Sequence, residues 1–369
     1  MSQSLNDHRP FGEVSPIMST TSRASINAVL ETAVPVAAAE EVRAIALRHF
    51  GIRGEPTRLP GERDSNFHII TEDGDHFLLR ISNPVEDRQV TDFQTKLLLH
   101  IEQTDPRVPV PRIVRSVEGR PEIVLTLPGQ PPSVVRLYTF LQGEPLHKTP
   151  PSRRQRWNMG GVLARIDLAI REFQHPASNH ELMWDMKHAH RLRPLLVHVE
   201  DLRRRALVER FLDRFEQFVL PAMPNLRTQV IHNDLNPHNV LVAERDHDHV
   251  TGVIDFGDAV LAPLVNDPAV AAAYRNADAG HPLETVSEFI CGYHAVLPLD
   301  DAEFEVLFDL VATRMILTVL ITSWRAAIQP ENREYILRNA PSAWAGLERF
   351  AALDRAEAHA YLRRNSRPE

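Results

Sequence analysis

The chain has 369 residues, 43% hydrophobic and 24% charged, an ordinary globular composition with apolar material for one large or two modest domains. Its formal net charge of -8 argues against a nucleic-acid partner held through phosphates, which needs a basic footprint. Cys291 is the single cysteine, so an intrachain disulfide and a cysteine zinc cluster are excluded. No apolar run is long enough to span a membrane and no basic, apolar leader opens the chain, so the expectation is a cytoplasmic protein without a membrane partner.

Met1 to Ile26 is rich in Ser, Thr and Asn, carries Pro10 and Pro16, and reads as a mobile leader, residues 1–26. Val42, Ile45, Ala46 and Phe50 fall at helical spacing and predict a first helix over Ala37 to Phe50, ended by Gly51. Asn66 to Ile70 and His76 to Ile81 read as strands joined by a hairpin at Asp73-Gly74. The tight connection before them, Leu59 to Asn66, could fold over a nucleotide, with Ser65 and Asn66 at its end. Arg80, on the second strand, is the candidate phosphate-binding cation. A helix follows over Val85 to Glu102, and in a kinase-like architecture a strand cation pairs with a helix acid, which makes Asp92 the expected partner of Arg80.

Glu122 to Leu127 and Val134 to Tyr138 read as two more strands, and Thr139-Phe140-Leu141-Gln142-Gly143 breaks the pattern; in a two-lobed kinase this would be the hinge, its backbone at Thr139 and Leu141 bonding the purine. A boundary near Gly143 divides a nucleotide-binding lobe, 27–142, from a catalytic and acceptor-binding lobe, 143–369. Beyond it the periodicity is mainly helical, over Trp157 to Phe173, Leu202 to Val219, Ala269 to Tyr274, Glu284 to Tyr293, Phe304 to Ile328 and Ala343 to Tyr361. Arg314 and Trp324-Arg325 interrupt an otherwise apolar helix, as core-edge residues or as the lining of a pocket. Trp184-Asp185 is, by composition, a packing Trp with a capping Asp. The pairs His247/His249 and His188/His190 lie among polar residues and carry no dedicated metal site.

The chemistry is concentrated between Val230 and Asp258. Short apolar runs bracket His232-Asn233-Asp234-Leu235-Asn236-Pro237-His238-Asn239, and a third, Val253-Ile254, delivers Asp255-Phe256-Gly257. This is the spacing H-x-D-L-x-x-x-N followed by D-F-G, with each set of polar residues at a strand end. Phosphoryl transfer needs hard oxygen ligands for Mg²⁺, which Asn239 and Asp255 supply, and a carboxylate to orient the acceptor hydroxyl and take its proton, which Asp234 supplies. His232 is placed to brace the backbone. A protein kinase would carry Arg where Asn233 stands, and a long activation segment ending in Ala-Pro-Glu, which this sequence lacks, so a protein substrate is not expected.

These residues resemble the aminoglycoside phosphotransferase and choline kinase superfamily. Leu78 to Pro84, Arg136 to Leu146, Val230 to Val242 and Gly252 to Tyr274 are most similar to hydroxylysine kinase and its bacterial relatives. The resemblance implies an α+β, two-lobed protein-kinase-like fold, with an antiparallel sheet plus helix in the N-lobe and a mostly helical C-lobe. It implies Mg²⁺ and transfer of the γ-phosphoryl of ATP or GTP to the hydroxyl of a small amine-bearing acceptor, hydroxylysine first, with aminoglycosides, choline, ethanolamine or homoserine as alternatives. It places Arg80 where the family usually has Lys, and makes Trp184, Asp185 and Asp258 acceptor-side residues. A nucleotide-binding pseudokinase is the alternative of another class.

Overall fold

In the computed structural model, residues 34–61, 63–275 and 280–367 are described, so the leader lies outside them. Helix α1, Ala39–Phe50, turns Val42, Ile45, Ala46 and Phe50 inward and stops at Gly51. Strands β1 (Gly54–Leu59), β2 (Ser65–Thr71) and β3 (His76–Ile81) follow. Pro56 is tolerated because β1 is an edge strand, paired only with β2 along the sheet. After helix α2 (Arg88–Thr104), capped by Asp87, come β4 (Ile113–Val114), β5 (Ile123–Thr126) and β6 (Pro132–Thr139). The sheet order is β1-β2-β3-β6-β4, with β5 also on β6, antiparallel at every pairing.

The period-two alternation of the strands decides what each face of this sheet does. Phe67, Ile69, Leu79, Ile81, Val135 and Leu137 point to one side and form a small core with α1. Their neighbours point to the other side. There the register aligns Asn66 with Arg80 and Arg80 with Arg136 in one cross-strand row. The apolar stripe of α2, with Phe93, Leu97, Leu98 and Ile101, joins a second and larger core instead. Each such side chain contributes about 1.5–3 kcal/mol on full burial.

That larger core is helical: α3 (Arg153–Ile170), a 3₁₀ stretch Met186–His198, α4 (Leu202–Arg214), α5 (Asn266–Ala272), α6 (Glu284–Val296), α7 (Asp301–Ile328), α8 (Ala340–Phe350) and α9 (Arg355–Asn365). The segment expected as one helix over Ala343 to Tyr361 is broken, because Asp354 caps a new helix by accepting from Ala356 and Glu357. Short strands β8 (Thr228–Ile231), β9 (Val240–Ala243), β10 (Asp246–Val253) and β11 (Val260–Pro263) carry the polar loops on this lobe. β9 and β10 form a hairpin, and β7 (Glu144–Pro145), just past Gly143, pairs with β9.

Helices α3 and α6 pack with backbones in near contact. A Cβ on Gly292 would run into the Trp157 carbonyl, and one on Gly160 into the Phe289 carbonyl. Neither obstacle is a side chain that can swing away. Gly292→Ala is therefore expected to destabilise the protein by about 1–3 kcal/mol, seen as a lower urea midpoint with the transition slope unchanged.

Candidate active site

The loop between β8 and β9 is pinned from behind. Asn233 has φ 65, a left-handed conformation that Asn adopts more readily than most residues. It is held there by Asp267 on α5, whose carboxylate accepts from the amides of His232 (2.9 Å) and Asn233 (2.7 Å). The His232 ring accepts from the Asp234 amide at Nδ1 (3.2 Å) and donates at Nε2 to the Ile254 carbonyl (3.2 Å), tying the loop to the strand that delivers Asp255. Phe256 closes edge-on against that ring at 4.6 Å.

Asp234 emerges into a cavity of about 610 Å³ between the sheet and the helical lobe. Its Oδ2 accepts from Asn239 Nδ2 (2.8 Å) and Asn236 Nδ2 (2.9 Å), and its Oδ1 from Arg314 Nη2 (2.8 Å). Burial raises the Asp234 pKa to about 7, with Arg314 opposing the rise and the Asp258 and Asp255 carboxylates adding to it. Asn239 commits its amide nitrogen to Asp234, so a metal would meet its Oδ1. Asp255 also has φ 65; its side chain opens onto the cavity and its Oδ1 accepts from the Gly257 amide (3.2 Å). Burial would raise its pKa, but Arg80 and Arg63 outweigh that and hold it below the ordinary carboxylate value.

On the sheet side, Asn66, Arg80 and Arg136 all line the cavity. The Arg80–Asp92 pair expected from sequence is not formed. Asp92 lies with Lys96 (2.7 Å) and His175 (2.9 Å), and Arg80 donates from Nε to Asn66 Oδ1 (3.0 Å) and lies 3.7 Å from Asp255. The link from sheet to helix is made one strand over. Arg136, 1% exposed, reaches Gln94 Oε1 (3.1 Å) on α2 and Ser82 Oγ (2.9 Å), while Gln94 Nε2 donates to the Gly257 carbonyl (3.3 Å). Asp92 fails as the partner because it lies two residues from Gln94, about 200° around the helix, which turns it towards His175. Ser65 is likewise absent from the cavity, its hydroxyl bonded to the Pro35 carbonyl. Thr139 spends both its amide and its hydroxyl on Arg112 (2.9 Å each), and Leu141 packs across Gly252; neither lines this cavity.

On the helical side, Trp184 lines the cavity but Asp185 does not. Asp185 is buried, caps the 3₁₀ stretch through the Lys187 amide (3.0 Å) and pairs with Lys187 Nζ (3.2 Å), the capping role that composition had suggested. Asp258 lines the cavity with Oδ1 on Arg63 Nη2 (2.9 Å). Arg314, 2% exposed, stands with its guanidinium 4.9 Å from the centre of the Trp184 ring and bonds Tyr274 Oη (3.0 Å) as well as Asp234. Arg325 and Arg338 complete the wall, Arg338 lying 3.9 Å over Tyr335. Arg63, Gln94, Arg136 and Arg338 were not read as site residues. Arg314 left the clearest sequence signal, since a cation inside a long apolar helix requires a buried partner.

A sheet with its helix standing over a helical lobe is the protein-kinase-like fold. Residues 55–299 match the phosphotransferase enzyme family, and the chain belongs to it. Hydroxylysine kinase of Mus musculus is 25% identical over 342 residues, covering 86% of this chain and 90% of that protein. Among solved structures, a microcompartment-associated aminopropanol kinase superposes with a TM-score of 0.60 at 18% identity, covering 89% of this chain and 98% of that one. An amicoumacin kinase in complex with AMP-PNP and Ca²⁺ gives 0.63 at 14% identity, covering 86% and 96%. The chain is thus a small-molecule kinase transferring phosphate to a hydroxyl. No helix among the described residues is long and apolar enough to cross a membrane.

The Asp234–Arg314 pair gives a direct electrostatic test. Arg314→Gln is expected to raise the Asp234 pKa by a further ~1–3 units, the effect of an adjacent opposite charge, read by NMR titration of the Asp234 carboxyl against wild type.

Proposed function

We propose that the enzyme moves the γ-phosphoryl of ATP or GTP to the hydroxyl of a small amino acid, with hydroxylysine the foremost acceptor and Asp234 the base. The observation that carries this is the placing of two cationic surfaces on opposite sides of Asp234. Arg80 and Arg136 stand opposite each other across β3 and β6. Like charges so placed are destabilising unless anions lie against them; Asp255 (3.7 Å) and Asp64 (3.8 Å) flank Arg80, and nucleotide phosphates would add negative charge where both guanidiniums line the cavity. On the far side, Arg314, Arg325 and Arg338 line the wall where the acceptor would lie.

That wall bears on the acceptor. The acids expected to meet an ammonium group are engaged, Asp258 by Arg63 and Asp185 by Lys187. Hydroxylysine and homoserine bring a carboxylate for the guanidiniums, whereas choline, ethanolamine and aminoglycosides bring only positive charge. An amino-acid acceptor is therefore favoured over those alternatives, and the resemblance to hydroxylysine kinase supports the longer of the two.

The donors fit a magnesium ion: the Asp255 carboxylate is open to the cavity, and Asn239 has its nitrogen spoken for and its oxygen available. Asn239 and Asp255 would hold that ion, which when bound offsets phosphate charge. Asp234 acts through Oδ1, because Oδ2 already accepts two amide donors while Oδ1 accepts only from Arg314. The hydroxyl donates to Oδ1, is aimed by it at the phosphoryl group, and gives up its proton there as the new bond forms. Trp184 and the Arg314 stem cover the site from the helical side.

The experiment is diphosphate release across hydroxylysine, homoserine, ethanolamine, choline and an aminoglycoside, with ATP and GTP run separately. Release with the amino acids and not with the others is expected, and equal turnover of choline or an aminoglycoside would overturn the reading. Asp234→Asn should lower kcat by about 10²–10⁴-fold. Arg338→Ala should raise KM for hydroxylysine roughly tenfold or more, the loss of one charge-assisted hydrogen bond, with kcat little changed.

A further inference from the structure

Behind the catalytic loop lies a second pair of carboxyls that the chemistry does not use. Asp167, on α3, and Asp267, on α5, are both 0% exposed. Tyr293, on α6, is equally buried and donates its hydroxyl to Asp167 Oδ2 at 2.5 Å. Among the described residues, neither carboxyl has an ion-pair partner. The groups facing them are Tyr293 on α6, the Gln229 side chain on β8, whose Nε2 donates to the Asp167 carbonyl (2.8 Å), and the His232 and Asn233 amides. Glu303 of α7 lies nearby, but is bonded to Arg227 (2.9 Å).

Two carboxyls buried side by side without a cation cannot both be ionised. The hydrogen bonds show where the proton sits. Both oxygens of Asp267 accept backbone N–H groups, the pattern of an anion. Asp167 Oδ2 accepts from Tyr293, but Oδ1 is buried and receives no donor. An ionised carboxylate in that position would leave a buried charge unsatisfied, whereas a protonated one has its O–H there and needs none.

We infer that Asp167 is a neutral carboxylic acid whose Oδ1–H donates to the Asp267 carboxylate, making Asp167 a positioning residue for the loop that carries Asp234. Its pKa is pushed well above the ordinary value by burial and then by the Asp267 charge. The near contact of α3 and α6 at Gly160 and Gly292 brings Tyr293, the residue after Gly292, to the other oxygen of the same acid. Fixed at both ends, Asp167 stops Asp267 from rotating, and Asp267 in turn holds Asn233 left-handed and Asp234 aimed into the cavity.

An amide reproduces a protonated acid: Asn can donate to Asp267 through Nδ2 and accept from Tyr293 through Oδ1. Asp167→Asn is therefore expected to keep kcat within about twofold of wild type and to retain the urea midpoint. Asp167→Ala, which removes the donor, should lower kcat at least tenfold while KM for the nucleotide stays within about twofold. The kinetic readout rests on Asp234 being the base, so a second one does not: the infrared carbonyl stretch of a protonated carboxylic acid should be present in wild type at pH 8 and absent from Asp167→Asn. Absence of that band from wild type, or an Asp167→Asn variant as impaired as Asp167→Ala, would overturn the assignment. A wild-type rate in folded Asp167→Ala would overturn the positioning role. If the acceptor reading fails and no turnover is found, the infrared band still decides the protonation.

Discussion

Asp267 accepts from two consecutive amides, and this demand shapes the catalytic end of the molecule. Consecutive N–H groups point the same way only if the chain leaves the extended conformation, and here the turn is taken up by Asn233 at φ 65. Once it is made, His232 faces inward, where its two ring nitrogens join the Asp234 amide to the Ile254 carbonyl, and Asp234 faces outward. Asp255 then reaches the same cavity through a second left-handed residue position at the end of the β9–β10 hairpin. Strain of this kind persists only where the surroundings over-determine it. Here a fully buried carboxylate and a doubly bonded imidazole do so.

Where a charged strand–helix pair was expected within the sheet lobe, a neutral amide stands on α2, and it also couples the two lobes. Gln94 takes a hydrogen bond from Arg136 of the sheet and gives one to the Gly257 carbonyl, two residues past Asp255. A carboxylate at that position would compete with phosphate for the guanidinium and would repel Asp255; an amide does neither and can face both lobes at once. Arg136 can therefore be fully buried yet keep its charge available to the cavity it lines. Arg80, freed from any helix partner, leans on Asn66 and stands beside Asp255.

The legibility of the sequence followed the range of the interactions. Asp234, Asn239 and Asp255 were readable because they lie within one short stretch, at ends of strands whose apolar runs announce them. The sheet and most helices were readable from periodicity. What was missed arrives from far along the chain: Arg63 meets Asp258, Arg136 meets Gln94, and Arg314 meets Asp234 across 80 residues. Spacing carries no record of such pairs. Asp92 was read as the helix partner because it is charged, a preference that is sound for surface helices and misleading where the helix faces a cavity already rich in carboxylates. Ser65 and Asp185 look polar and exposed in sequence, but are buried, and each satisfies a neighbouring segment's backbone or cap.

Arg314 shows how the cavity divides its labour. A guanidinium buried in the middle of α7 would be costly alone, and it is offset on three sides: by the Asp234 carboxylate, the Tyr274 hydroxyl and the face of Trp184. Arg314 in turn holds Asp234, whose burial raises its pKa to about 7 and so favours the protonated form, which could not take a proton. The cation therefore opposes the protonation that burial favours, at an oxygen with a lone pair left for an acceptor. Because it comes from the helical lobe and Arg80 and Arg136 come from the sheet, positive charge flanks Asp234 on both sides. Under the proposed function, negative groups would be drawn to opposite ends of the cavity, nucleotide phosphates to one and an acceptor carboxylate to the other, with the acceptor hydroxyl left between them at Asp234.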